Sequence, residues 1–399
     1  MFKKGNFIIL MVILGLVLSA CGQNDENAQA QGDDKQEAKQ PEDQKNQEET
    51  EKSKDSDSSE SKASDVSAYK AGVKELAKAK EGKEVDFQAV IDLYKSDLQP
   101  LVQKQDSAVD QQIVAALEAG KAGELDGYIV KQIFDKLTQK VFYLTIKHEF
   151  KEVEEYWGDS AEVNKEIEEA KEFYAVLKGT VSKRDNAYST NMVDQIEAGF
   201  NEIEKAVEND DLLGFQLGKQ VVDKTLMKTF YLASGALPHG YATKAAKEAK
   251  EDVAHAKVEQ AEGWAFYQSL TGYLTRHAKE EAALIESQFN LEKDVTKLDP
   301  TVVNNAFVRG FSKIALHEYE ESEEYWGKDK SVITALEGAL FIDMIDTDIT
   351  RILGKEAFTE LTEQAQSYLD AAKAGEKEKA MKVLEKIEGT LKTVIENTK

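Results

Sequence analysis

The chain is predicted to be all-α: a multi-helix bundle built from about three degenerate helical repeats, preceded by a disordered tether. Apolar residues recur at helical spacing from about Val66 almost to the end. No window keeps the alternation of a strand for long, and Pro41, Pro100, Pro238 and Pro300 are the only prolines in 399 residues. A body of this length is long for one bundle, so internal repetition is the first thing to test.

The N-terminus reads as an export signal. Lys3 and Lys4 form a positive n-region, Phe7 to Leu18 is an uncharged apolar run, and Leu18-Ser19-Ala20-Cys21 places small residues just before a cysteine. This is a lipobox, with residues 1–20 a lipoprotein signal peptide and Cys21 the lipidated first residue of the mature protein. The apolar run is too short to serve as a permanent span, which needs about 18 residues. The expected location is therefore the extracytoplasmic face of the cell membrane, held by lipid. Cys21 is the only cysteine, which excludes disulfides, thiolate metal sites, iron–sulfur clusters and haem attached through a CxxCH motif.

Residues 21–68 are expected to be a disordered acidic linker. From Gly22 to Asp65 there is no aromatic residue and no aliphatic one larger than alanine, so the segment has nothing with which to build a core. Its 14 acidic and 6 basic residues contribute −8 of the chain's −24, and the remaining body is acidic too. That charge argues against a nucleic-acid partner and for attraction of cations, although an acidic surface also serves solubility. About 45 flexible residues reach roughly 35 to 40 Å, enough to meet a neighbouring envelope protein such as a permease.

Residues 69–399 form the expected helical repeat domain. Val130, Ile133, Phe134, Leu137, Val141, Leu144 and Thr145 follow the three-and-four spacing of one amphipathic helix, while Gly179 and the Pro238/Gly240 pair mark helix ends. The stretch His148 to Gly158 matches His317 to Gly327 at an offset of 169, and Gln132 to Leu144 matches Gln220 to Leu232 at an offset of 88. Glu169, Glu262 and Glu337 each stand four residues before Phe173, Phe266 and Phe341, so three units are inferred. In this register His148, His239 and His317 precede the marker glutamates.

All three tryptophans sit nine residues after a histidine in the pattern H-x3-E-x2-E-x-W. The trios are His148, Glu152, Glu155; His255, Glu259, Glu262; and His317, Glu321, Glu324. Positions i, i+4 and i+7 share one stripe of an α-helix, so each trio projects an imidazole and two carboxylates in one direction. Nitrogen and oxygen donors without sulfur suit iron, manganese or zinc. The bland alternative is that Glu-rich helices produce such spacings on solvated faces. In the middle copy His255 and His239 compete for one role, and the spacing leaves the choice open. His277 has no counterpart and reads as an ordinary histidine.

No nucleophile elbow, phosphate loop or catalytic motif is present, so an enzyme is not expected. Paired carboxylates in a chain of 75 acids carry no signal for glycoside hydrolysis. The tyrosine and tryptophan pairs at 156–157 and 325–326 read as helix-end core anchors ahead of a ligand platform.

Glu262-Gly263-Trp264-Ala265-Phe266-Tyr267, echoed by Glu169 to Tyr174 and Glu337 to Ile342, resembles a repeated E-G-x-x-F-Y signature. That signature belongs to the low-iron-inducible, iron-assimilating periplasmic proteins of algae and related bacterial lipoproteins. The likeness spans roughly residues 85 to 399, and the third copy departs from it at Ile342. It implies extracytoplasmic iron binding in support of uptake. Combined with the trios, the expectation is a tethered lipoprotein that captures iron, or a similar cation, and hands it to a permease. The alternative is a helical docking protein of the envelope that binds no metal.

Overall fold

A computed structural model describes residues 58–399, with side chains from residue 64. The signal peptide, Cys21 and most of the expected linker lie outside the described residues. The chain divides into Met1–Ala63 and a helical unit, Ser64–Lys399. Among the described residues there is no strand, and no helix is long and apolar enough to cross a membrane.

Helix α1 covers Ser58–Leu76, so the helical body begins inside the stretch expected as linker. Asp65, Ala68 and Tyr69 are already buried there. The polar composition upstream of Val66 concealed this, because Ser, Ala, Glu and Lys do not oppose a helix once a few apolar residues anchor it. A nearly continuous stretch follows, α2 Phe87–Leu93 and α3 Gln99–Gln105 joined by a π-helical turn over Tyr94–Leu98, and α4 Ser107–Ala122 packs against both. The long helices are α5 Gly127–Glu155, α6 Ser160–Tyr188, α7 Met192–Glu208 and α8 Leu212–Ser234. Then come α9 Tyr241–Glu248, α10 Val253–His277, α11 Lys279–Phe289, α12 Pro300–Glu324 and α13 Asp329–Met344. The chain closes with α14 Asp346–Leu353, α15 Lys355–Ala374 and α16 Lys377–Glu396.

The helix starts are written locally. Asp126, Asp159, Asp211, Asp252 and Asp299 each cap the helix that follows by accepting hydrogen bonds from its first free backbone amides. The duplicated Tyr-Trp-Gly sequences form the turns after α5 and α12. Gly158 and Gly327 take φ of 99° and 83° there, a conformation that costs a residue with a Cβ.

Helices α5, α8 and α12 pack against α6, α10 and α13 respectively. In addition α5 packs against α10, and α8 against α13. Within each pair the marker phenylalanine meets a partner: Phe173 stands 5.3 Å from Phe142, Phe266 is 6.3 Å from Phe230, and Phe341 is 6.0 Å from Phe311. Tyrosines link helices distant in the chain. Tyr69 donates to Asp135 at 2.6 Å and Tyr143 to Asp223 at 2.6 Å, while Tyr231 accepts from Asn304 at 3.0 Å. The glycines of the E-G motif let aromatic rings close over these helices. A Cβ at Gly263 would stand 2.5 Å from a Phe289 ring carbon, and one at Gly338 would stand 2.8 Å from the Tyr319 ring.

Candidate functional site

Three acidic clusters follow from this packing. The first lies between α5 and α6. The buried face of α5 runs through Phe142, Ile146, Glu149 and Val153, and α6 turns Glu166 and Glu169 toward it. Glu149, Glu166 and Glu169 are 5 %, 6 % and 8 % exposed, and each offers an oxygen within 4.8 Å of the others. Among the described residues this is the one group of three or more His, Cys, Asp or Glu side chains that converges so closely.

His148 flanks that cluster and does not enter it as the head of its own trio. Its Nε2 is 3.8 Å from Glu152 Oε1. Burial, with Lys104 nearby, lowers its pKa against the opposing pull of Glu152 and Glu166, so the ring is neutral at pH 7 and able to bind a metal. Glu155, in contrast, is half-exposed and pairs with Lys151 at 2.9 Å. The expected stripe of His148, Glu152 and Glu155 is thus set one residue to the side of the buried stripe. The carboxylate facing the bundle is Glu149, next to the histidine.

The same displacement occurs on α12. His317 and Glu321 are partly exposed and lie 4.0 Å apart, and Glu324 is exposed on the last turn. Glu318 is the buried acid, 4 % exposed. Burial, then the adjacent Glu337 carboxyl, push its pKa up to about 8. The Tyr273 hydroxyl donates to Glu318 at 3.4 Å. Glu337 is engaged by Lys224 at 2.9 Å, and Lys224 also holds Asp223 at 2.7 Å. Burial alone would lower the Lys224 ammonium, but Asp223 and Glu337 outweigh it and raise it well above the usual lysine value.

The middle cluster belongs to α10. Glu262 faces Lys136 at 3.5 Å, and Lys136 also holds Asp135 at 2.8 Å. Burial raises Glu259, whose Oε2 has no hydrogen-bond partner. His255 is 43 % exposed and stands between Glu248 and Glu259 at 3.6 and 3.8 Å. His239 occupies the loop before α9, exposed, with its ring against Tyr188. Neither histidine therefore repeats the placement of His148 and His317 near the end of a unit's first helix. Glu169, Glu262 and Glu337, however, do hold matching buried positions on α6, α10 and α13.

The tryptophans act as packing and hydrogen-bonding anchors. Trp157 donates to Asp210 at 3.0 Å, Trp264 donates to Glu286 at 3.2 Å, and Trp326 meets the Tyr368 ring edge to face.

Glu149, Glu166, Glu318 and the lysines at 136 and 224 were not singled out in the sequence. A signal existed for some of them. His148-Glu149 and His317-Glu318 are both inside the self-match at offset 169, and Glu149 lies seven residues after Phe142, on the same helical face. Asp135-Lys136 and Asp223-Lys224 are inside the match at offset 88. No family of known proteins, no curated protein and no solved structure matches this chain.

Proposed function

We propose that the protein is an extracytoplasmic, lipid-anchored cation-binding protein. In this reading the cluster of Glu149, Glu166 and Glu169 beside His148 captures iron, or a similar hard cation, for delivery to a permease. The observation that carries the reading is the convergence of three buried carboxylates from two helices within 4.8 Å, flanked by His148. Three carboxylate oxygens suit a hard cation such as iron or manganese, and zinc less well. Anchoring through Cys21 and the membrane location rest on the N-terminal sequence alone. The three-unit plan is supported by the matched phenylalanine pairs and by the tyrosine links between units.

Iron is the cargo here, and binding is the proposed activity. Glu166→Gln with Glu169→Gln in the purified full chain should reduce bound iron, measured by elemental analysis after equilibration with Fe(II) under anaerobic conditions. Full iron stoichiometry in that double variant would overturn the reading.

A second reading has one observation in its favour. Two of the three marker glutamates are neutralised by protein lysines, Lys136 and Lys224, so their burial needs no metal. On that reading the buried charges fix the packing of an envelope docking protein, and the wild-type chain binds no iron.

A further inference from the structure

We propose a second metal site, of different chemistry, formed by His277, His317 and Glu321 where the end of α10 meets α12. It takes a divalent ion of borderline softness such as zinc, cobalt(II) or iron(II), and it stands independently of the Glu149 cluster. His277 was set aside in the sequence because nothing repeats it. The fold brings its ring to 4.8 Å from that of His317, centroid to centroid, across two helices. Two imidazoles on one ion, with metal–nitrogen bonds of about 2.0 to 2.1 Å and ligand angles of about 90° to 110°, hold their ring centroids about 4.5 to 5.2 Å apart. The observed separation falls inside that range; the three donors do not yet converge within 4.8 Å as those of the Glu149 cluster do, so the site closes by side-chain rotation on the ion.

Glu321 supplies the carboxylate. Its Oε1 is 4.0 Å from His317 Nε2, on the open side of α12. Glu320 Oε2 lies 4.0 Å from the other ring nitrogen of His317, beyond hydrogen-bond distance, and acts on the imidazole through its charge alone. Two histidines and one carboxylate on one side of an ion leave positions for water or an exchanging ligand. The His317 and Glu321 side chains are 42 % and 30 % exposed, so rotation about their own bonds can draw the three donors together. Lys330, 3.2 Å from Glu321 Oε2, competes with the metal and favours release. An accessible site with two nitrogen donors suits exchange, in contrast to the buried, oxygen-rich Glu149 cluster.

The test uses cobalt(II) chloride with the purified full chain, read by visible absorption, whose d–d bands report the coordination number and geometry of the bound ion; the histidine variants identify the ligands. His277→Ala and His317→Ala should each weaken cobalt(II) binding at least about tenfold, and Glu166→Gln with Glu169→Gln should leave that spectrum unchanged. A second readout needs no variant: bound zinc should protect His277 and His317, and not His239 or His255, from acylation by diethyl pyrocarbonate. Unchanged cobalt(II) binding in the His277 and His317 variants, or equal acylation with and without zinc, overturns the proposal. Loss of the spectrum only in the Glu166/Glu169 variant also overturns it, while leaving the Glu149 cluster as a metal site.

Discussion

The Lys224 ammonium lies 2.9 Å from the Glu337 carboxylate, an ion pair inside the body that joins α8 to α13. Lys136 reaches Glu262 in the corresponding way between α5 and α10. Breaking one side of such a pair leaves a buried charge without compensation. Lys224→Met strands Glu337 and leaves Asp223 with only Tyr143 and Lys147, and is expected to destabilise the fold by about 3 to 5 kcal/mol, read as a lower urea midpoint. Adding Glu337→Leu to that variant should restore part of the loss.

Tyr143 donates to the buried carboxylate of Asp223, which also receives Lys224. Tyr143→Phe removes the hydroxyl without changing the ring and leaves one lone pair of Asp223 unsatisfied. The expected cost is about 1 to 3 kcal/mol in urea unfolding, and Tyr69→Phe should fall in the same range through Asp135.

Stability should fall with rising pH through Glu318. Burial and the facing Glu337 raise its pKa from 4.5 to about 8, against the pull of Lys224; Glu321 adds to the rise, and Tyr273 donates to it. The folded chain therefore keeps a proton that the unfolded chain has already lost between those values. The contribution is favourable below about pH 4.5 and is withdrawn as pH rises toward 8. Thermal midpoints of the metal-free protein at pH 5 and pH 8 should show this decline, and Glu318→Gln should show a smaller one. Equal declines in the two proteins would refute the assignment.

Gly263→Ala and Gly338→Ala should each destabilise the body by about 1 to 3 kcal/mol, because the added methyl meets Phe289 and Tyr319 at 2.5 and 2.8 Å. Circular dichroism melts would show it. Gly179→Ala, where nothing lies within 4 Å of the new atom, is expected to leave the melt unchanged or slightly raised.

Glu155→Gln and Glu324→Gln should not alter iron stoichiometry. Glu155 is paired outward with Lys151, and Glu324 is exposed at a helix end. Elemental analysis beside the Glu166/Glu169 variant gives the comparison directly.

Helical periodicity and the self-matches at offsets 88 and 169 are local properties, so the sequence alone determined an all-helical body and aligned Glu169, Glu262 and Glu337 by their spacing to a phenylalanine. It also located the ends of α5 and α12, where the histidines and the Tyr-Trp-Gly turns stand. The tertiary structure decided which of two adjacent residues faces the bundle. One residue is about 100° of helix rotation, so His148 and Glu149, or His317 and Glu318, point to different surroundings, and only the packed neighbour selects between them. Charge partners were hidden for a related reason. Lys224 and Glu337, like His277 and His317, are far apart in the chain and meet only because α8 packs on α13 and the end of α10 lies beside α12.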